Sequence, residues 1–227
     1  MTRAWIVWHL IEHDLHHGGE ISQSLGMIGR LEEARSLVRR ADSILEELGM
    51  TLERAAAPGL TAGYIELIAG DAAAAEAACR PAYETLAAMG EKARSSSRAA
   101  LLAATVYEQG RLDEAIRLAD EADAVSAVDD MEPQGWIHGV RAKVLARRGR
   151  FEEGERIARQ NIELMEPTDL LCHRGMAWFD LGEVLRLAGR SAEAAEAFRT
   201  AEARFEEKGS EVQVAHSRAA REGLESS

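Results

Sequence analysis

One period runs through most of this chain, and that period decides what it can fold into. "GRLEEARSLVRRA" from Gly29, "GDAAAAEAACRPA" from Gly70, "GRLDEAIRLADEA" from Gly110, "GRFEEGERIARQN" from Gly149 and "GRSAEAAEAFRTA" from Gly189 align with one another. Their leading glycines stand 41, 40, 39 and 40 residues apart. A fixed spacing of this size marks a solenoid, in which each unit buries its apolar face only against its neighbours. Within each unit an alanine-rich run leads into the glycine, as in "AALLAATVYEQG" and "WFDLGEVLRLAG". Glycine just past a helix end takes the left-handed conformation that a Cβ disfavours. A second helix follows, with small and apolar residues three and four apart, for example Ala115, Leu118, Ala119 and Ala122. That spacing makes one face of a helix. Hydrophobic residues make up 46 % of the chain but aromatics only 5 %, with four prolines. Closely packed helices fit this balance better than a sheet of β-branched and aromatic residues.

In the last unit Trp178, Leu181, Gly182, Leu185, Ala194, Phe198 and Ala201 fall at the spacings of the tetratricopeptide repeat. Other units are looser. Leu102, Ala103 and Val106 precede Ala115 and Ala122, and Gly154 stands where an alanine is expected. The period exceeds the usual repeat of about 34 residues, which implies longer helices and loops such as "VDDMEPQG" and "MEPTDLLC". On phrases such as "RAKVLARRGRFEE" and "LGEVLRLAGRSAEAAEAF", residues 29–209 resemble the tetratricopeptide arrays of bacterial adenylate-cyclase-like and LuxR-like ATPase regulators. The resemblance implies an interaction or regulatory region without chemistry of its own. The sequence holds no GxxxxGK[ST] phosphate loop. No cyclase domain fits the space, and no helix-turn-helix segment follows residue 209.

The expected architecture is all-α: a right-handed tetratricopeptide-type helical solenoid of about five helix pairs with a C-terminal capping helix. Residues 1–28 would form a terminal helix whose end serves as the first helix of the array. Residues 29–209 hold the repeats, and residues 210–227 supply a capping helix and tail.

The stretch "HLIEHDLHHGGE", residues 9–20, holds four histidines and three acids. His9, Glu12 and His13 spell HxxEH, two histidines one turn apart beside an acid, the inverted metalloprotease pattern. Residues 3–26 resemble the last helix of DinB/DUF664 four-helix bundles, with His13 and His17 at the HxxxH positions. Gly18, Gly19 and Glu20 stand where that family has Arg-Gly-Gln. The resemblance implies a divalent metal such as zinc or nickel on those histidines, with a third ligand from an earlier helix. Catalytic zinc takes three protein ligands and an open position, and no earlier helix is on offer, so no metal or cofactor is expected. The alternative is a fragment of a DinB-like metal-dependent transferase whose missing helices come from another chain. Otherwise the helix begins the first repeat. Ile21, Ser22 and Leu25 fall where Leu181, Gly182 and Leu185 stand, and Ala34 and Ala41 follow as Ala194 and Ala201 do. Trp5, Ile6, Trp8, Leu10 and Ile11 then need cover, and left bare they would be a site of self-association.

The net charge of −12, with Lys and Arg scattered among acids, excludes the basic face of a nucleic-acid binder. No stretch approaches the ~20 apolar residues of a membrane helix, and the start lacks a signal-cleavage site. Cys79 and Cys172 form no CxxC pattern, which points to core positions in a reduced, cytoplasmic setting. Ser95, Ser96 and Ser97 are expected to cap a helix. Paired acids such as Glu32–Glu33 and Glu152–Glu153 suit helix starts and solvated faces. The expected function is a non-catalytic interaction scaffold with a protein or peptide partner. In the tetratricopeptide register the first helices line the concave face, placing Tyr107, Trp136, Lys143, Phe179 and Arg186 there. Such aromatic and basic residues suit an acidic or amphipathic peptide.

Overall fold

The structure is a computed structural model that describes residues 18–127 and 129–225. Among these residues only helices occur. The chain enters on α1 (helical over residues 18–27), followed by α2 (Leu31–Glu47), α3 (Thr51–Ala56), α4 (Pro58–Ile68), α5 (Ala72–Ala88) and α6 (Lys92–Glu108). It continues through α7 (Leu112–Val125), α8 (Met131–Arg147), α9 (Phe151–Met165), α10 (Leu171–Leu187), α11 (Ser191–Lys208) and α12 (Glu211–Glu225).

The turns are built as the period demands. Gly29, Gly70, Gly110, Gly149 and Gly189 have φ between 75° and 84°. At the third of them the Gly110 N–H donates to Tyr107 at 2.8 Å and the Arg111 N–H to Val106 at 3.1 Å, which satisfies carbonyls the helix end leaves bare. Gly49, Gly90 and Gly209 do the same at the return turns. The residue after the glycine also has a job. Arg30, Arg111, Arg150 and Arg190 each precede the second helix and pair with the acid three residues on: Glu33, Glu114, Glu153 and Glu193. Those acids sit in the first helical turn, where the macrodipole favours negative charge.

Three local expectations change. Glu91 caps α6, accepting from the Arg94 N–H at 2.6 Å. The three serines therefore lie one turn inside the helix and are buried, with Ser95 Oγ and Ser96 Oγ donating back to Lys92 O and Ala93 O. The supposed loops are shorter: α8 already begins at Met131, with Pro133 in a first turn that tolerates a missing N–H. The longest spacing, 41 residues, is filled instead by the extra short helix α3.

The first helices of the pairs (α4, α6, α8, α10) pack side by side as an inner layer, and the second helices (α5, α7, α9, α11) lie outside. Inner helices are enclosed on nearly all sides, so Ser95–Tyr107 of α6 are all buried. Outer helices keep one apolar stripe, such as Ala115, Leu118, Ala119 and Ala122 on α7. Close approach explains the Leu–Gly signature: a Cβ on Gly182 would sit 2.5 Å from the fully buried Phe198 ring of α11. It also explains the departure at Gly154, where a Cβ would lie 2.7 Å from the Ala142 carbonyl oxygen. Register carried burial only in part at the first unit. Ser22 and Ala34 are buried, as Gly182 and Ala194 are, but Ile21 is 53 % exposed, whereas Leu181 is 2 % exposed. Beside Ser22, the buried face of α1 is completed by Gly26, which lies against Ile65.

The rotation between units accumulates until the array meets itself. Met27 Sδ at the end of α1 lies 3.5 Å from Cys172 Sγ on α10. The Tyr64 hydroxyl of α4 donates to Gln213 Oε1 of α12 at 3.3 Å. The concave face is therefore the wall of a lumen and not an open groove.

Candidate functional site in the lumen

One face of α8 runs the length of this lumen. Glu132, Trp136, Gly139, Lys143 and Arg147 recur every three or four residues and so share that face. They divide it into two ends.

At the C-terminal ends of the inner helices the groups are already engaged. Lys143 is 8 % exposed; its Nζ lies 2.9 Å from Asp180 Oδ1, 3.6 Å from Glu108 and 4.7 Å over the Tyr107 ring. Burial opposes the Lys143 charge, but Asp180, Glu108 and Tyr107 outweigh it and hold the ammonium protonated. Burial pushes the Asp180 carboxyl up against the pull of Lys143. Room for that carboxylate comes from Gly139, where a Cβ would lie 2.0 Å from Asp180 Oδ2. Arg147 donates to the Tyr107 hydroxyl at 3.4 Å and remains exposed, as does Arg186, which pairs with Glu183 at 2.7 Å. Of the five residues placed on the concave face, Tyr107, Lys143 and Arg186 thus gather at this end. Phe179 instead turns to the outer layer, its ring 5.1 Å from Phe198.

Trp136 stands at the other end, over a cavity of about 820 Å³ bounded by α1, α4, α6, α8 and α10. Its indole meets Tyr64 and His173 edge-on, at 6.4 and 5.7 Å between ring centres. Met27, Leu60 and Leu101 supply apolar wall. Arg98 of α6 reaches the same space. Only 8 % exposed, it donates from Nη1 to the Arg94 carbonyl at 3.0 Å, and its Nε has no partner among the described residues. Burial lowers the guanidinium to about 10, with the Glu132 carboxylate pulling the other way. The Glu132 carboxyl is itself raised by burial. His173 is held down to about 4 by burial alone, so its ring is neutral, and its Nε2 is sealed without a partner among the described residues.

Of these cavity residues the repeat register singled out only Trp136, and not Arg98, Glu132 or His173. A signal existed for Arg98, which is the only charge in the run from Ser95 to Tyr107, "SSSRAALLAATVY". A second cleft of about 720 Å³ lies outside, between α2, α3 and α5, where Arg54 pairs with Asp42 at 2.8 Å. Cys79 is buried, its thiol pushed up to about 12, while Cys172 lines the lumenal cavity. His9, His13 and His17 lie outside the described residues, as does the apolar face of the N-terminal segment from Trp5 to Ile11. Among the described residues no histidine, cysteine and carboxylate cluster is placed to hold a metal. None of their helices is long and apolar enough to cross a membrane.

The fold is a tetratricopeptide-type helical solenoid. Residues 135–160 and 175–200, which fall in α8–α9 and α10–α11, match the tetratricopeptide repeat family. Two crystal structures of kinesin light chain TPR-like repeats from Podosopora anserina, one of them a single-residue variant, superpose with a TM-score of 0.55. They share 15 and 16 % identity and cover 86 and 87 % of this chain, and 96 and 97 % of their own. The apo form of RapI superposes with a TM-score of 0.52 at 12 % identity, over 96 % of this chain and 71 % of RapI. At these identities the likeness is one of fold. No curated protein matches the sequence.

Proposed function

We propose that the chain is a non-catalytic interaction scaffold that takes an acidic or amphipathic peptide segment of a protein partner on its inner face. The carrying observation is the exposed pair Arg147 and Arg186, at the lumen end where Lys143 and Tyr107 are locked in place beneath them. In a chain of net charge −12, Arg147 stands exposed with no carboxylate bonded to it among the described residues, its guanidinium steadied by the Tyr107 hydroxyl. Its resemblance to regulator arrays supports a role as the detached regulatory segment of a bacterial signalling protein, acting in the cytoplasm.

The test is fluorescence anisotropy against a panel of labelled acidic amphipathic peptides. Binding by the panel's best member should weaken at least about tenfold when Arg147 and Arg186 are both changed to Glu, the cost of reversing a pair of contacts at an interface. Arg199→Glu on the outer face of α11 should leave it unchanged. Equal loss from the outer substitution, or none from the inner pair, contradicts the proposal.

A further inference from the structure

We propose that the cavity at the N-terminal ends of the inner helices is a binding site for a small monocarboxylic acid with an apolar body. The inference stands apart from the peptide reading, which uses the opposite end of the lumen. Its first support is the Arg98 side chain. A buried guanidinium is costly unless its donors are bonded and its charge is met, yet Arg98 spends one donor on a backbone carbonyl and leaves Nε free among the described residues. Guanidinium donors match a carboxylate better than any other common group.

The second support is His173, an independent unpartnered nitrogen on a different helix lining the same space. Its ring, edge-on to Trp136, adds aromatic wall for the apolar body of the acid. The third is shape and polarity. A volume of about 820 Å³ falls within the range of small-molecule sites, which are mostly apolar with a few converging polar groups. Trp136, Leu101 and Leu60 offer a hydrocarbon or aromatic body its wall.

Charge chooses between acids. Glu20, Glu132 and Asp169 line the cavity together with Arg98 and Lys208. A dianion such as a phosphate monoester would face three carboxyl groups with two cations. A monocarboxylate needs only Arg98, and it brings one negative charge to these carboxyl groups where a phosphate monoester brings two.

Isothermal titration of the full chain with octanoate and phenylacetate tests this, with octanol and octyl phosphate as controls. Octanoate should bind at one per chain, and octanol and octyl phosphate at least about tenfold more weakly, the value of a charge-assisted pair. Arg98→Met should weaken octanoate by the same factor, because it removes the cation that meets the carboxylate. Should that variant fail to fold, alkylation of Cys172 in the native chain decides. Octanoate should slow iodoacetamide there, and octanol should not. Octanol or octyl phosphate binding as well as octanoate, no carboxylate binding, unchanged octanoate binding by Arg98→Met, or no protection of Cys172 overturns the site.

Discussion

Asp180→Ala should destabilise the chain by about 3–5 kcal/mol, the cost of stranding one charge of a buried pair. The stranded charge is Lys143, 8 % exposed, with only Glu108 at 3.6 Å and the Tyr107 ring left to meet it. The effect should reverse in large part in Asp180→Ala/Lys143→Met, because removing both partners leaves no unmatched charge. Urea midpoints of the single and double variants measure this, and the coupling between the two sites is the informative quantity. Additive effects would mean that Lys143 does not depend on Asp180, and that α8 and α10 are held together at this end by something else. The pair joins α8 to α10, so its loss is also a loss of contact between neighbouring units.

Phe198→Ala should cost about 3–5 kcal/mol as well, through a different mechanism, a cavity in the core. The ring is fully buried, lies over Gly182 and packs at 5.1 Å against Phe179. Gly182→Ala should be harmful in the native background, where the new methyl meets the ring at 2.5 Å. In a Phe198→Leu background it should be much better tolerated, since the smaller side chain vacates that space. Thermal unfolding of the four proteins reads this directly. If Gly182→Ala costs the same in both backgrounds, the tight glycine–phenylalanine contact is not what brings α10 and α11 together.

Repeat architecture was legible because its determinants are local. A glycine needed at positive φ, an alanine needed where helices touch and an arginine followed three residues later by glutamate are all requirements of single turns. The five glycines from Gly29 to Gly189 all have positive φ between consecutive helices. The short helix α3 was not legible, because a spacing of 41 residues beside 40 and 39 elsewhere does not say that the helical stretch is divided at Ala57. Spacing also identified which residues share the inner face but not what lies opposite them. Tyr107 and Lys143 do face inward, yet Asp180 arrives from the neighbouring unit and engages the lysine, and Phe179 turns outward onto Phe198.

Closure of the lumen depends on a small rotation repeated between units, and no residue states that rotation. It brings Met27 to Cys172 and Tyr64 to Gln213, and it puts Arg98, Trp136 and His173 around one cavity. Without closure these groups belong to separate turns of an open spiral. The ionic pattern shows a similar split between local and distant. Arg150–Glu153 within one helix start is readable from sequence, whereas the Glu166 carboxylate collects Trp178, Arg174 and Arg204 from two other helices. Burial raises that carboxyl, but the bonds from Trp178 and Arg204 outweigh it and hold it below its ordinary value.

Cross-linking of Met27→Cys to the native Cys172 tests closure of the lumen most directly. The two native sulfurs lie 3.5 Å apart across 145 residues of sequence. In a Cys79→Ala background, dibromobimane should bridge the two thiols of one chain rapidly and yield a monomeric, fluorescent product. Thiols that react only singly, or that bridge only between chains, would show an open array and contradict the account.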